Sequence, residues 1–171
     1  MKQILMSIRV FSFGLAIAAT LLVGGCGESD SSEITGQTGS LTKAEFIRRA
    51  DAICRKGGSQ VQREFAAYVQ RNSDAVSPES PQSEQGAAAA EIIDTIYVPG
   101  NEKQIERIGS LSAPSGDEGE VKAILAAMQD GLDEASDRPL VFIRAGSPKG
   151  PAFTEARKLA RAYGLADCGQ G

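Results

Sequence analysis

Three cysteines, Cys26, Cys54 and Cys168, are the only thiols in a chain of 171 residues that contains no histidine and no tryptophan. Without an imidazole, Cys-His and Ser-His-Asp catalysis are excluded, as is any His-ligated zinc, copper or haem site. No two cysteines stand in a Cys-x-x-Cys spacing, so the common dithiol redox motif is absent too. Carboxylates are plentiful, yet none of the 22 acids is singled out as a pair for hydrolytic acid–base work. Asp117, Glu118 and Glu120 lack the alternating ligands and the glycine of a calcium loop and read as helix-start acids. No cofactor and no metal ligand set is expected.

The first cysteine closes a segment with the build of an export leader. Lys2 and Arg9 precede an apolar run from Val10 to Val23, interrupted only by Ser12, Gly14 and Thr20. Such a run spans about 21 Å as a helix, short of the roughly 30 Å hydrocarbon core of a bilayer. No basic stop-transfer flank follows, and residues 1–25 read as a cleaved signal. Within it, Leu22-Val23-Gly24-Gly25-Cys26 resembles the lipobox of bacterial lipoproteins: an aliphatic residue, two small residues, then cysteine. That resemblance implies cleavage between Gly25 and Cys26 and a lipid on the Cys26 thiol. The partner of Cys26 is then membrane lipid, on the extracytoplasmic face of the cell membrane. Each buried CH₂ contributes about 0.8 kcal/mol, so two or three acyl chains give stable anchoring.

With Cys26 used in this way, Cys54 and Cys168 remain as a pair in an oxidising compartment, and a disulfide is the default expectation. Two buried free thiols or a redox-active pair are the alternatives. The formal net charge of −4 becomes −6 when Lys2 and Arg9 leave with the leader, which disfavours nucleic acid as a partner. An envelope protein or a small ligand stays open.

Residues 26–40 are small and polar, a tether with an r.m.s. reach of about 20 Å. The folded domain is expected over 41–171. Thr42-Lys43-Ala44-Glu45 has the form of a capping box, with Leu41 and Phe46 placed as a hydrophobic staple. Behind it Phe46, Ala50, Ile53, Cys54, Gly57, Val61, Phe65 and Tyr68 recur every three or four residues, one face of a long helix ending near Asn72. Gly57-Gly58 marks a kink or a close helix contact. Residues 73–86 show no periodicity and predict an exposed linker.

A second helix is predicted from Ala87, carrying Ile92, Ile93, Ile96 and Tyr97, interrupted at Pro99-Gly100 and resuming through Ile105, Ile108 and Leu111. Ser115-Gly116-Asp117-Glu118 reads as another capping box, opening a helix with Val121, Ile124, Leu125, Met128 and Leu132 inward. Leu140 to Ile143 is an apolar patch that folds onto the core. The last helix starts at Pro151, faces inward through Phe153, Ala156, Leu159, Ala160 and Tyr163, and stops at Gly164. No strand-period alternation occurs. The fold class is all-α: a bundle of about four helices closed by one disulfide.

Charge is uneven. Between Lys43 and Arg71 seven bases face three acids, whereas Asp117 to Asp137 holds seven acids and Lys122 alone. Complementary packing of neighbouring helices accounts for this, and an anion or partner surface is the functional alternative. The stretches Leu41-Thr42-Lys43-Ala44-Glu45-Phe46-Ile47-Arg48-Arg49-Ala50-Asp51-Ala52-Ile53-Cys54 and Ala160-Arg161-Ala162-Tyr163-Gly164-Leu165-Ala166-Asp167-Cys168-Gly169 resemble a group of small exported proteins and lipoproteins of actinobacteria. The resemblance implies a helical fold with the two cysteines paired, and it supplies no catalytic residue. The expected role is a membrane-anchored binding or interaction module. A carboxylate-dependent envelope hydrolase and a structural spacer are the alternatives.

Overall fold

The computed structural model describes residues 39–146 and 150–170. The leader, Cys26 and the tether up to residue 38 lie outside these described residues. Helix α1 runs Lys43–Arg71, α2 Gln82–Ile92, α3 Val98–Gly109, α4 Glu118–Asp137, α5 Pro139–Arg144 and α6 Thr154–Tyr163. A π-helical turn, Ile93–Tyr97, joins α2 to α3 without a loop, and a 3₁₀ turn, Pro151–Phe153, leads into α6. The result is the all-α bundle expected from the periodicity, with no strand among the described residues. None of these helices is long and apolar enough to cross a membrane.

Helix α1 starts where its cap residues place it. Thr42 Oγ1 accepts from the Glu45 N–H at 3.3 Å. Only half of the capping box forms, because the Glu45 carboxylate turns forward to Arg48 and Arg49. Those two guanidinium groups hold the Glu45 carboxyl below its ordinary range. The expected box at Ser115 does not form at all. Ser115 Oγ pairs with Ser40 Oγ at 2.9 Å, and Glu118 instead accepts from the Gly116 N–H.

The second helix begins at Gln82, five residues ahead of its expected start. Pro81 stands at its N-cap, and Gln85 donates back to the Ser80 carbonyl at 2.7 Å. This ties down the preceding turns, and Ala75 and Val76 of the expected linker pack on the core. At Pro99 the helix neither stops nor simply kinks. The ladder opens to i−5 just before it, with the Val98 N–H reaching the Ile93 carbonyl. Proline has no N–H, and its ring crowds the carbonyl four residues back in a regular helix. A widened turn there lets α2 and α3 continue as one arm.

Helices α1 and α3 pack antiparallel, Gly57 against the Gln104 side chain and Gly100 against Val61. A Cβ at Gly100 would lie 2.4 Å from Val61 Cγ2, so glycine is what admits this approach. The close contact anticipated at Gly57 is therefore real, and α1 runs on through it to Arg71. Helix α6 lies antiparallel on α4, with Tyr163 Oη donating to Asp117 Oδ2 at 2.9 Å.

The apolar residues form two clusters that share Met128 at their margins. One gathers Phe46, Ala50, Ile53, Ile124, Tyr163 and Leu165 around the first half of α1. The other gathers Ile93, Leu132 and an aromatic trio around the π turn. In the trio Tyr97 and Phe142 rings stand edge-on at 4.8 Å, with Phe153 6.1 Å from Tyr97 and 6.0 Å from Phe142. Such pairs contribute about 0.5–1.5 kcal/mol each beyond their buried area. The Leu140–Ile143 patch does reach this core through Phe142, while Val141 points outward.

Candidate functional site

The disulfide between Cys54 and Cys168 is formed, with Cα atoms 5.2 Å apart. It stands in a wider attachment of the chain end to α1. Gly164 takes φ 108°, a left-handed position that glycine occupies without strain. The Leu165 N–H bonds the Ala160 carbonyl and the Gly164 N–H the Arg161 carbonyl, the Schellman pattern. The chain then turns so that Ala166, Asp167 and Cys168 all donate backbone N–H groups to the Asp51 carboxylate, at 3.0, 2.8 and 3.3 Å. Arg55 pairs with Asp167 at 2.5 Å, and Arg161 Nε donates to the Gly169 carbonyl. One turn of α1, Asp51 to Arg55, thus receives the C-terminal hook through three kinds of bond.

Between the two apolar clusters lies a cavity of about 430 Å³. Helix α1 supplies one wall through Cys54, Gly58, Val61 and Phe65, a spacing of four, three and four that keeps them on one face. Ile92, Ile96 and Tyr97 form a second wall around the π turn, and Phe153 and Ala156 a third from the start of α6. Both disulfide cysteines belong to the lining. At the mouth stand Gln62, Phe65 and Gly146, all exposed.

Phe65 corrects the sequence expectation. Its position in the α1 pattern is that of a core residue, but it is 36% exposed because no side chain occupies the space it faces. The other sequence-derived positions divide. Cys54 and Cys168 come together and line the cavity, whereas Gly25 and Cys26 lie outside the described residues. Asn101 and Gln104 were not singled out from sequence, Tyr97 was read there only as a packing residue, and Gly57-Gly58 and Pro99-Gly100 are the local signals nearest to them.

The polar groups in the lining are few. Asn101 Nδ2 donates to the Tyr97 carbonyl at 2.8 Å, and Gln104 Nε2 donates to Asn101 Oδ1 at 3.1 Å and to the Gly100 carbonyl at 3.3 Å. Arg157 donates to the Gly150 carbonyl and to Thr154 Oγ1. Burial pushes the Tyr97 hydroxyl well above its ordinary range, and the Arg157 charge pulls weakly the other way. Among the described residues Asp167 is the single carboxylate of the lining, and it already pairs with Arg55. Glycoside hydrolysis needs two carboxyl groups about 5–10 Å apart across the bond to be cut, and the described lining has no such pair.

The basic character of α1 is largely absorbed locally. Lys43 pairs with Asp117 at 3.3 Å and lies 4.0 Å over the Tyr163 ring, while Arg48 and Arg49 share Glu45. Of these, Lys43 alone reaches the acidic helix, through Asp117 and Glu120, whereas the Arg48 and Arg49 pairs lie within α1. Comparison with protein-family models, with curated proteins and with solved structures gives no match.

Proposed function

We propose that this protein is a lipid-anchored extracytoplasmic binding module whose helical domain holds a small molecule in the cavity between α1, the π turn and α6. The observation that carries the binding role is the cavity itself. Its 430 Å³ falls within the roughly 300–1,000 Å³ of small-molecule sites, and its walls are mainly apolar with a few placed polar groups. A structural spacer has no use for such a space, and among the described residues a hydrolase lacks its second carboxylate there. The anchoring role is supported by the lipobox-like Val23-Gly24-Gly25-Cys26 and by the formed Cys54–Cys168 bond, which takes up the other two thiols of the chain.

Gly58 provides the test of binding. A Cβ there meets nothing within 4 Å, and the residue lines the cavity, so Gly58→Leu fills the space without disturbing α1. N-phenylnaphthylamine fluorescence is expected to rise saturably with the wild-type domain and not with Gly58→Leu. The same substitution should raise stability by up to about 1 kcal/mol through helix propensity. Equal dye binding by both proteins would remove the cavity from the proposal. Radiolabelled palmitate incorporated by the wild type and lost in Cys26→Ser tests the anchor separately.

A further inference from the structure

The occupant's chemistry can be narrowed from one side chain. Tyr97 is only 7% exposed, its ring is held by Phe142 and Phe153, and it lines the cavity. Among the described residues its hydroxyl makes no hydrogen bond, although no fully enclosed side-chain oxygen or nitrogen lacks a partner. The hydroxyl therefore keeps its small accessible surface toward the cavity. A hydroxyl with open surface on a cavity wall bonds water until a ligand's polar group takes that place.

Charge in the lining is balanced and engaged: Asp167 is bound to Arg55 and to Asp51-held backbone, and Arg157 to Gly150 and Thr154. An ion entering here would lose water without gaining a counter-charge.

Resting on the binding-module reading above, we infer that the cavity takes one neutral, largely apolar molecule, whose polar group hydrogen-bonds to the Tyr97 hydroxyl. The contact is a neutral one, and the body of the ligand lies against Ile92, Ile96, Val61 and Phe153.

Three probes with one apolar body and different heads test this: 4-phenylphenol, biphenyl and biphenyl-4-carboxylate, titrated calorimetrically at pH 7 into the chain from residue 26 onward carrying Cys26→Ser. 4-Phenylphenol should bind one per protein, biphenyl about three- to tenfold more weakly, the range of one neutral hydrogen bond. Tyr97→Phe should bring the phenol down to the biphenyl affinity and leave biphenyl unchanged. The carboxylate should bind at least about tenfold more weakly than the phenol. A carboxylate that binds as tightly as the phenol, or a phenol-to-biphenyl ratio untouched by Tyr97→Phe, overturns this inference while leaving the cavity a binding site. Failure of all three probes to bind a domain of unchanged helical circular dichroism overturns the inference and the binding role together, as does binding that survives Gly58→Leu.

Discussion

The two ends of the bundle solve the same problem, how to hold the last elements of the chain in place, by different means. Around Asp51 to Arg55 the hold is polar and covalent: a disulfide, a carboxylate taking three backbone N–H groups, and an ion pair. Around the π turn it is mostly apolar, three edge-on rings with Ile92 of α2 and Ile93 and Ile96 of the turn itself. The first kind of contact fixes geometry. The second tolerates a gap, and the gap between the clusters is the cavity. A domain can keep an unfilled space beside one set of contacts when the other set secures the chain independently.

Replacing Cys54 and Cys168 together by serine should give the largest loss. A closed loop of about 100 residues corresponds to about 4.7 kcal/mol in the chain-entropy account, and natural bonds typically give about 2–5. Urea unfolding measures it, and hydrogen exchange should show the extra opening concentrated in residues 164–170 and not in α2. Equal loosening of both ends would break the comparison. Asp51→Ala comes next, at about 2–3 kcal/mol, because it removes the acceptor of a cluster of charge-assisted bonds. The disulfide should still form in that variant, which a free-thiol assay checks.

The smallest and sharpest contrast is between two tyrosines. Tyr163 donates to Asp117, so Tyr163→Phe should lose about 1 kcal/mol at pH 7, whereas Tyr97→Phe, whose hydroxyl donates to nothing, should stay within about 0.5 kcal/mol. Burial first, and the Asp117 bond second, raise the Tyr163 hydroxyl above its ordinary 10.0. A raised folded value stabilises below pH 10.0 and is lost as pH climbs toward the folded value. The urea midpoint should therefore fall above pH 10.0, with a shallower slope in Tyr163→Phe. An unchanged slope would remove the tyrosine from the alkaline transition.

Much of the architecture was legible in the residues. The three-and-four spacing from Phe46 to Tyr68, the αL stop at Gly164 and the cysteine pairing all appear as read, since each depends on local periodicity, local backbone freedom or simple count. Features that depend on distant partners were not legible. Ser115 has the sequence of a cap, but Ser40, 75 positions away, takes its hydroxyl. Gln82 to Gly86 reads as linker, but Gln85 bonds back to Ser80 and across to Arg144 of α5. The cavity was hidden for a further reason. Phe65 and Tyr97 carry the pattern of core residues, and no pattern along the chain records the missing neighbour opposite them.

The bond from Cys54 to Cys168 has a consequence for how the molecule comes apart. A protease that cuts the exposed segment between α1 and α2, or any other loop between those two positions, makes two pieces that remain one molecule until reduced. If the lipid sits on Cys26 as proposed, such a clipped protein stays on the membrane. Shedding into the surroundings requires a cut between residues 26 and 54.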